Sequence, residues 1–182
     1  FRLQDDSASA CAQLSACLTL AEQWAGVSQE PAAVPCMEES VLSFLRSCEV
    51  LTSDWKQMLE QAANAPEPEN LLAYTPALDQ EIRLFTMDML YRYYLRAAYA
   101  ETPEAEILPL QMAAFSVCVV LLYSRRLGFH TAEQRLRIWQ LFVKEIEYDE
   151  NNLEELEWQL ETNAAFSPAA FRAYFASPGG VQ

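Results

Sequence analysis

Asp88, Arg92 and Arg96 follow one another at four-residue spacing, so on a helix they form one row of acid, base and base. Such a row can line a groove in which Asp88 holds Arg92 while Arg96 stays free for an anion or a partner carboxylate. Tyr91 and Tyr94 stand beside it and shape its wall. The plainer alternative is an ordinary helix ion pair next to tyrosines that bury their rings and keep their hydroxyls on water or backbone. No second acid is fixed nearby by spacing, so a carboxylate-pair mechanism is not assigned, and the catalytic residues stay unknown.

Other chemistry-bearing residues give weaker patterns. Glu147, Asp149 and Glu150 can attract a divalent cation, but the segment lacks the glycine and ligand spacing of a calcium loop. His130 is the only histidine, which excludes a multi-histidine metal site and fits a place beside a helix cap. The five cysteines, Cys11, Cys17, Cys36, Cys48 and Cys118, are odd in number and contain no CxxC pair. They argue against a disulfide framework or structural zinc and read as buried thiols of a cytoplasmic protein. Cys11 and Cys17 lie about 240° apart on an ideal helix and share no face. No nucleophile elbow, phosphate loop or dinucleotide fingerprint occurs.

The elements that must position these residues are helices. Alanine, leucine, glutamate and glutamine dominate, with only four glycines in 182 residues and almost no alternating β-branched segments. Leu14, Cys17, Leu18 and Ala21 give a helical stripe over 7–25, broken by Gly26, Pro31 and Pro35. A second helical region starts near Met37, and Thr52 or Ser53 can cap a continuation through Trp55, Met58, Leu59 and Ala62. Spacing leaves open whether this is one helix or two. Residues 64–70, with Pro66 and Pro68, read as a loop.

Pro76 precedes a long helix over 77–99, on which Leu84, Met87, Tyr91, Leu95 and Ala98 form one apolar face, widened by Phe85, Met89 and Tyr93. Thr102 and Pro103 start the next helix, Pro109 marks a further start or a kink, and Gly128 stops it. The apolar run within it, Ile107 to Tyr123, is too short and interrupted for a membrane span and suits a central helix. Thr131 and Gln134 form a capping box for a helix running through Glu145. Glu145 to Glu161 then holds eight acids and no base around Ile146, Leu153, Leu156 and Leu160, the solvated face of an amphipathic helix or helix pair. Ser167 and Pro168 open a last short helix whose Phe171 and Phe175 dock on the rest, before Pro178, Gly179 and Gly180. The expected fold is all-α, a single helical bundle of about six to eight helices spanning residues 1–182.

The net charge of −14 repels nucleic acid and anionic lipid. A local basic groove remains conceivable, because Arg83, Arg92, Arg96, Arg125, Arg126, Arg135 and Arg137 account for seven of the twelve basic residues. At the end of the apolar helix, Arg125 and Arg126 also favour its negative pole. Phe1 stands where an initiator methionine is expected, which suggests a fragment or processed form of a longer protein.

Leu90-Tyr91-Arg92-Tyr93-Tyr94, the apolar run Phe115 to Leu122, Arg137-Ile138 leading to Lys144-Glu145-Ile146-Glu147, and Asn151-Asn152-Leu153-Glu154 occur in one order. In these features Asp79 to Glu155 resembles the carboxy-terminal helical region of flagellin lysine N-methylases and their uncharacterised bacterial relatives. Leu3-Gln4-Asp5 and Trp55 to Leu59 extend the resemblance weakly. It implies a parent protein that transfers methyl groups from S-adenosylmethionine to protein lysine, with flagellin as the named substrate. It also implies a preceding cysteine-rich region that binds a metal or iron–sulfur cluster. The scattered cysteines here do not reproduce such paired groups, so no catalytic cysteine is carried over and no cofactor is expected in this part. The expectation is therefore an accessory helical domain, inactive alone, that supports the catalytic region or positions a lysine-bearing protein. The competing expectation is a non-enzymatic interaction or ligand-sensing module, which an apolar cavity between the Ile82 and Met112 helices would favour.

Overall fold

The computed structural model describes residues 8–26, 36–66, 72–99 and 101–176. Leu3-Gln4-Asp5, Pro31, Pro35, Pro68 and the Pro178-Gly179-Gly180 ending lie outside them. Eight α-helices and no strand occur among the described residues, an all-α bundle as the composition requires. They are α1 Ala10–Ala25, α2 Met37–Ser47, α3 Ser53–Asn64, α4 Pro76–Ala98, α5 Pro103–Leu127, α6 Ala132–Phe142, α7 Glu150–Thr162 and α8 Pro168–Ala176. A π-helical turn, Val143–Glu147, follows α6, and a 3-10 turn, Ala164–Phe166, precedes α8.

Helix starts follow capping chemistry closely. Ser9, Thr52, Thr102, Thr131 and Asp149 each accept a backbone N–H of the first turn they precede. Both partners of the Thr131–Gln134 capping box are in place. Thr52 settles the open question about 37–64: α2 and α3 are separate helices. Gly128 ends α5 in the left-handed region at φ 65°, where only glycine sits without cost. Pro109 neither starts nor splits a helix, since α5 runs through it. It falls in the second turn, where the missing N–H costs the helix one bond, to the carbonyl of the partly exposed Ala105.

α5 is the axis of the bundle. Every residue from Met112 to Tyr123 is buried, and α5 touches each of the other seven helices. Its 105–127 segment is long and apolar enough to cross a membrane, contrary to the expectation that the run is too short. In the fold that greasy surface meets protein instead, because 83% of its most apolar window is buried by neighbouring helices. Phe115 sits among Phe44, Phe142 and Phe166 at centroid distances of 5.3–6.1 Å, and Tyr123 stacks on Trp55 at 5.4 Å. α4 packs antiparallel along α5 in the most extensive helix pair, the expected core hairpin.

The arginines clamp the shell helices together. Arg125 and Arg126 reach Glu38 and Glu39 in the first turn of α2, Arg135 makes a two-point bond to Glu81 of α4 at 2.5 and 2.9 Å, Arg137 meets Asp54 of α3, and Arg172 meets Glu22 of α1. Arg83 and Arg92 are paired as well. Six of the seven arginines considered for a basic groove are thus spent on carboxylates, and the side chain of Arg96 lies outside the description. The enclosed pairs, Arg125–Glu38 and Arg135–Glu81, contribute little net stability, but either partner left alone is costly, whereas the exposed Arg137–Asp54 pair is worth little either way.

An acid and an amide of the 145–161 segment, Glu145 and Asn152, are not solvated, which corrects the reading of that stretch as a water-facing surface. The wide turn of Val143–Glu147 brings Val143, Glu145 and Ile146 inside together. The fully buried Glu145 carboxylate accepts the Leu51 N–H at 2.7 Å and the Thr52 hydroxyl. Buried Asn152 accepts the Glu49 N–H and donates to the carbonyls of Glu49 and Glu145, each at 2.8 Å. The two side chains hold the α2–α3 connection against the π turn, so they serve architecture and not a solvated face.

Candidate functional site

α4 carries every residue expected to form a groove, and its helical phase divides them. Leu78, Ile82, Phe85, Met89 and Tyr93 are the buried face. Asp88 and Arg92 lie on one flank, turned to the π turn. Arg92 bonds Asp88 at 3.0 Å as the spacing requires, and also Glu147 at 2.8 Å, the second acid that sequence spacing did not supply. Burial works against the Arg92 charge, but Glu147 and Asp88 outweigh it and raise its proton affinity. Burial dominates at Glu147 and lifts its carboxyl above the ordinary value, because one guanidinium is shared between two carboxylates. Both carboxylates hold the one guanidinium, so the triad offers no free cation to a ligand.

Tyr91 and Tyr94 point elsewhere. With Gln80, Leu84, Met87 and Ala98 they follow a 4-3-4-3-4 spacing along the outer side of α4, joined by Leu95. This stripe faces solvent: Leu84 is 61% exposed, Met87 63% and Tyr91 80%. The expected apolar face is therefore real but outward, and Phe85, Met89 and Tyr93, expected only to widen it, form the packed side. Of the tyrosines expected to bury their rings, only Tyr93 does so; Tyr91, Tyr94 and Tyr99 are exposed. A seam at this spacing is the pattern by which one helix packs along another.

The stripe runs beside a groove between α1 and α4 that is floored by α5. At one end Leu14, Cys17, Met87, Leu90 and Leu110 line a recess of about 260 Å³, and at the other Ala21, Trp24, Ala98, Ile107 and the exposed Glu106 line one of about 310 Å³. The exposed residues of α1, Ala12, Ala16, Leu20, Gln23 and Trp24, carry no charge. Arg83 closes one end of the groove but is held by Asp79, by Gln13 and by the Ala8 carbonyl at 2.6–2.7 Å.

That closure is a polar knot joining the starts of α1 and α4. Asp79 accepts the Ala10 N–H at 2.6 Å and the Tyr74 hydroxyl as well as the Arg83 guanidinium. Partial burial opposes the charge, but these donors win and hold the Asp79 carboxyl below its ordinary value. Burial pushes the thiols of Cys11 and Cys48 up to about 12, so both are protonated and unreactive near neutrality. His130 is exposed beside the α6 cap, its N–H donated to Gln134. Asp149 caps α7 through the Asn152 N–H, and Glu147 bonds Arg92.

Periodicity found the stripe but not its direction; Glu145 and Glu147 had no signal beyond lying in an acidic run. The hydroxyls that meet carboxylates, Thr52 at Glu145 and Tyr74 at Asp79, sit at helix starts, and the exposed apolar face of α4 stands apart from both. No family model matches the chain, and neither a curated protein nor a solved structure matches it.

Proposed function

We propose that this chain is a helical docking domain that presents the outer side of α4 to another protein surface. The observation that carries the reading is the exposed, uncharged stripe Leu84, Met87, Tyr91, Tyr94 and Leu95 on a helix whose opposite face is locked into the core. A soluble surface rarely leaves so long an apolar row open without a use for it. Within this reading the lysine N-methylase resemblance supplies a parent: a cytoplasmic, S-adenosylmethionine-dependent methyltransferase to which this bundle is accessory. A cysteine-rich catalytic region and a lysine-bearing protein such as flagellin are then the candidate partners. S-adenosylmethionine and any iron–sulfur cluster belong to that region, a division favoured by the high thiol pKa values here. The ligand-sensing alternative draws on the recess at Leu90 and Leu110. It is an open groove walled by α1 and α4 rather than a cavity enclosed between α4 and α5, which favours docking.

The test uses the complete protein and this chain separately, each with S-adenosylmethionine and a lysine-bearing protein, followed by methyl incorporation. Incorporation by the complete protein alone, lost on Met87→Glu with the melting temperature unchanged, is the expected result. Equal activity with and without the substitution would remove the outer face of α4 from function.

A further inference from the structure

We infer that the outer side of α4 docks a second copy of this chain, α4 against α4 across a two-fold axis. The inference rests on the docking reading and names its occupant. Area is the first argument. Leu84, Met87, Tyr91, Tyr94 and Leu95, with Leu20 and Trp24 (91% exposed) along α1, offer side-chain surface on the order of 900 Å². A stable interface takes about 800 Å² from each partner, so the stripe together with the α1 residues beside it is of the size that a self-pairing needs.

Charge is the second argument. A chain of net charge −14 repels its own copies over most of its surface, yet this stripe and the exposed residues of α1 bear no carboxylate and no cation. Two copies can therefore meet here without opposing like charges. The acids beside the face do not mark out a cationic partner: Asp88 is bonded to Arg92, and exposed Glu106 stands at the Trp24–Ala98 end, away from the axis at Tyr91.

The seam is also self-complementary. In an antiparallel pairing centred on Tyr91, Leu84 of one copy falls opposite Ala98 of the other, Met87 opposite Leu95, and Tyr91 opposite its equivalent. Large residues meet small ones at the ends, and the tyrosines stack at the axis, the isologous arrangement of a two-fold dimer.

Sedimentation velocity across a dilution series up to about 200 µM tests this, the expected dimer dissociating in the micromolar range typical of a face without charge pairing. Raising salt should leave the dimer intact or tighten it, since only general repulsion is screened. Met87→Glu or Tyr91→Glu should weaken association at least about thirtyfold. With exposed Cys36 changed to Ser, Tyr91→Cys should form an intermolecular disulfide on mild oxidation. In that background Leu84→Cys should cross-link to Ala98→Cys and not to itself. A chain monomeric throughout the series, or a dimer untouched by both glutamates, would overturn the second copy as occupant. If the monomer's Met87→Glu variant nevertheless abolishes methyl transfer by the complete protein, docking stands with another partner. A marked fall in melting temperature for either glutamate, at concentrations where the unsubstituted chain is already monomeric, would overturn the docking reading itself, because it would show the face buried within a single chain.

Discussion

α4 and α5 lie side by side, are both long and both rich in large apolar residues, and meet opposite fates. α5 is enclosed on all sides from Met112 to Tyr123, while α4 is buried on one side and shows leucine, methionine and tyrosine to water on the other. The difference lies in what surrounds them: α5 has seven helices around it, whereas α4 has α5 and α1 on one side, the α6 region on its flank and, among the described elements, no helix outside. Apolar content alone therefore does not locate a core; the count of neighbours that can cover a face does.

Truncation at the centre of α5 should give the largest effect. Phe115→Ala removes a ring from among Phe44, Phe142 and Phe166 and should cost about 3–5 kcal/mol in chemical denaturation, as for other buried phenylalanines. Leu84→Ala, an apolar truncation on the neighbouring helix, should stay within about 0.5 kcal/mol. A loss at Leu84 approaching that at Phe115 would erase the distinction between the two helices.

The shell around α5 depends on a polar contact that should come next. Glu145→Ala leaves the Leu51 N–H and Thr52 hydroxyl without their buried acceptor and should cost about 2–3 kcal/mol. The substitution also loosens the α2–α3 connection, which hydrogen exchange at Leu51 would report. A stability change near zero would mean the π turn holds its shape without this contact.

Much of this architecture is legible in the sequence because capping is local. Thr52, Thr102, Thr131 and Gly128 mark their boundaries through bonds to residues three or four positions away, and a reader needs only those positions. The inward turn of Glu145 is not legible, because its partners, Leu51 and Thr52, lie more than ninety residues earlier and the π turn that aims it leaves no mark in the spacing. The outer stripe of α4 falls between these cases. Periodicity marks two apolar faces on that helix, Leu84-Met87-Tyr91 and Phe85-Met89-Tyr93, and only the packing of α5 and α1 decides which becomes core. The Asp88–Arg92 pair was readable from four-residue spacing, but its third member, Glu147, again lies far along the chain.

The two polar clusters that border α4, around Asp79 and around Arg92, should answer pH with opposite signs. The Asp79 carboxyl is held below its ordinary value, so the native state favours its charged form. Its contribution is present above the ordinary aspartate range and is lost as pH falls through the lowered native value. Asp79→Asn should cost about 1–2 kcal/mol at neutral pH, with the difference from wild type shrinking toward zero in acid. Glu147 runs the other way. Its native pKa is raised, the folded protein holds the proton more tightly than the unfolded chain, and stability declines as pH rises from the ordinary glutamate range through the raised value. Glu147→Gln should remove that decline, a smaller effect of about 1 kcal/mol or less because Arg92 keeps Asp88 in either case. Melting temperatures between about pH 3 and 7 would separate the two slopes, and parallel profiles for both variants would contradict the asymmetry.

The smallest effect on stability is expected where the effect on association is greatest. Leu84→Glu places a charge on a side chain that is 61% exposed, with the carboxylate left in water, so unfolding should shift by no more than about 0.5 kcal/mol. In helix-forming terms the exchange is nearly neutral, since leucine and glutamate rank close together. An unchanged denaturation midpoint with lost self-association would show that the residue is retained for what it touches outside the bundle. A gain in solubility without any change in sedimentation would instead make the stripe a surface that nothing covers, and α4 would then differ from α5 only in having been left unfinished.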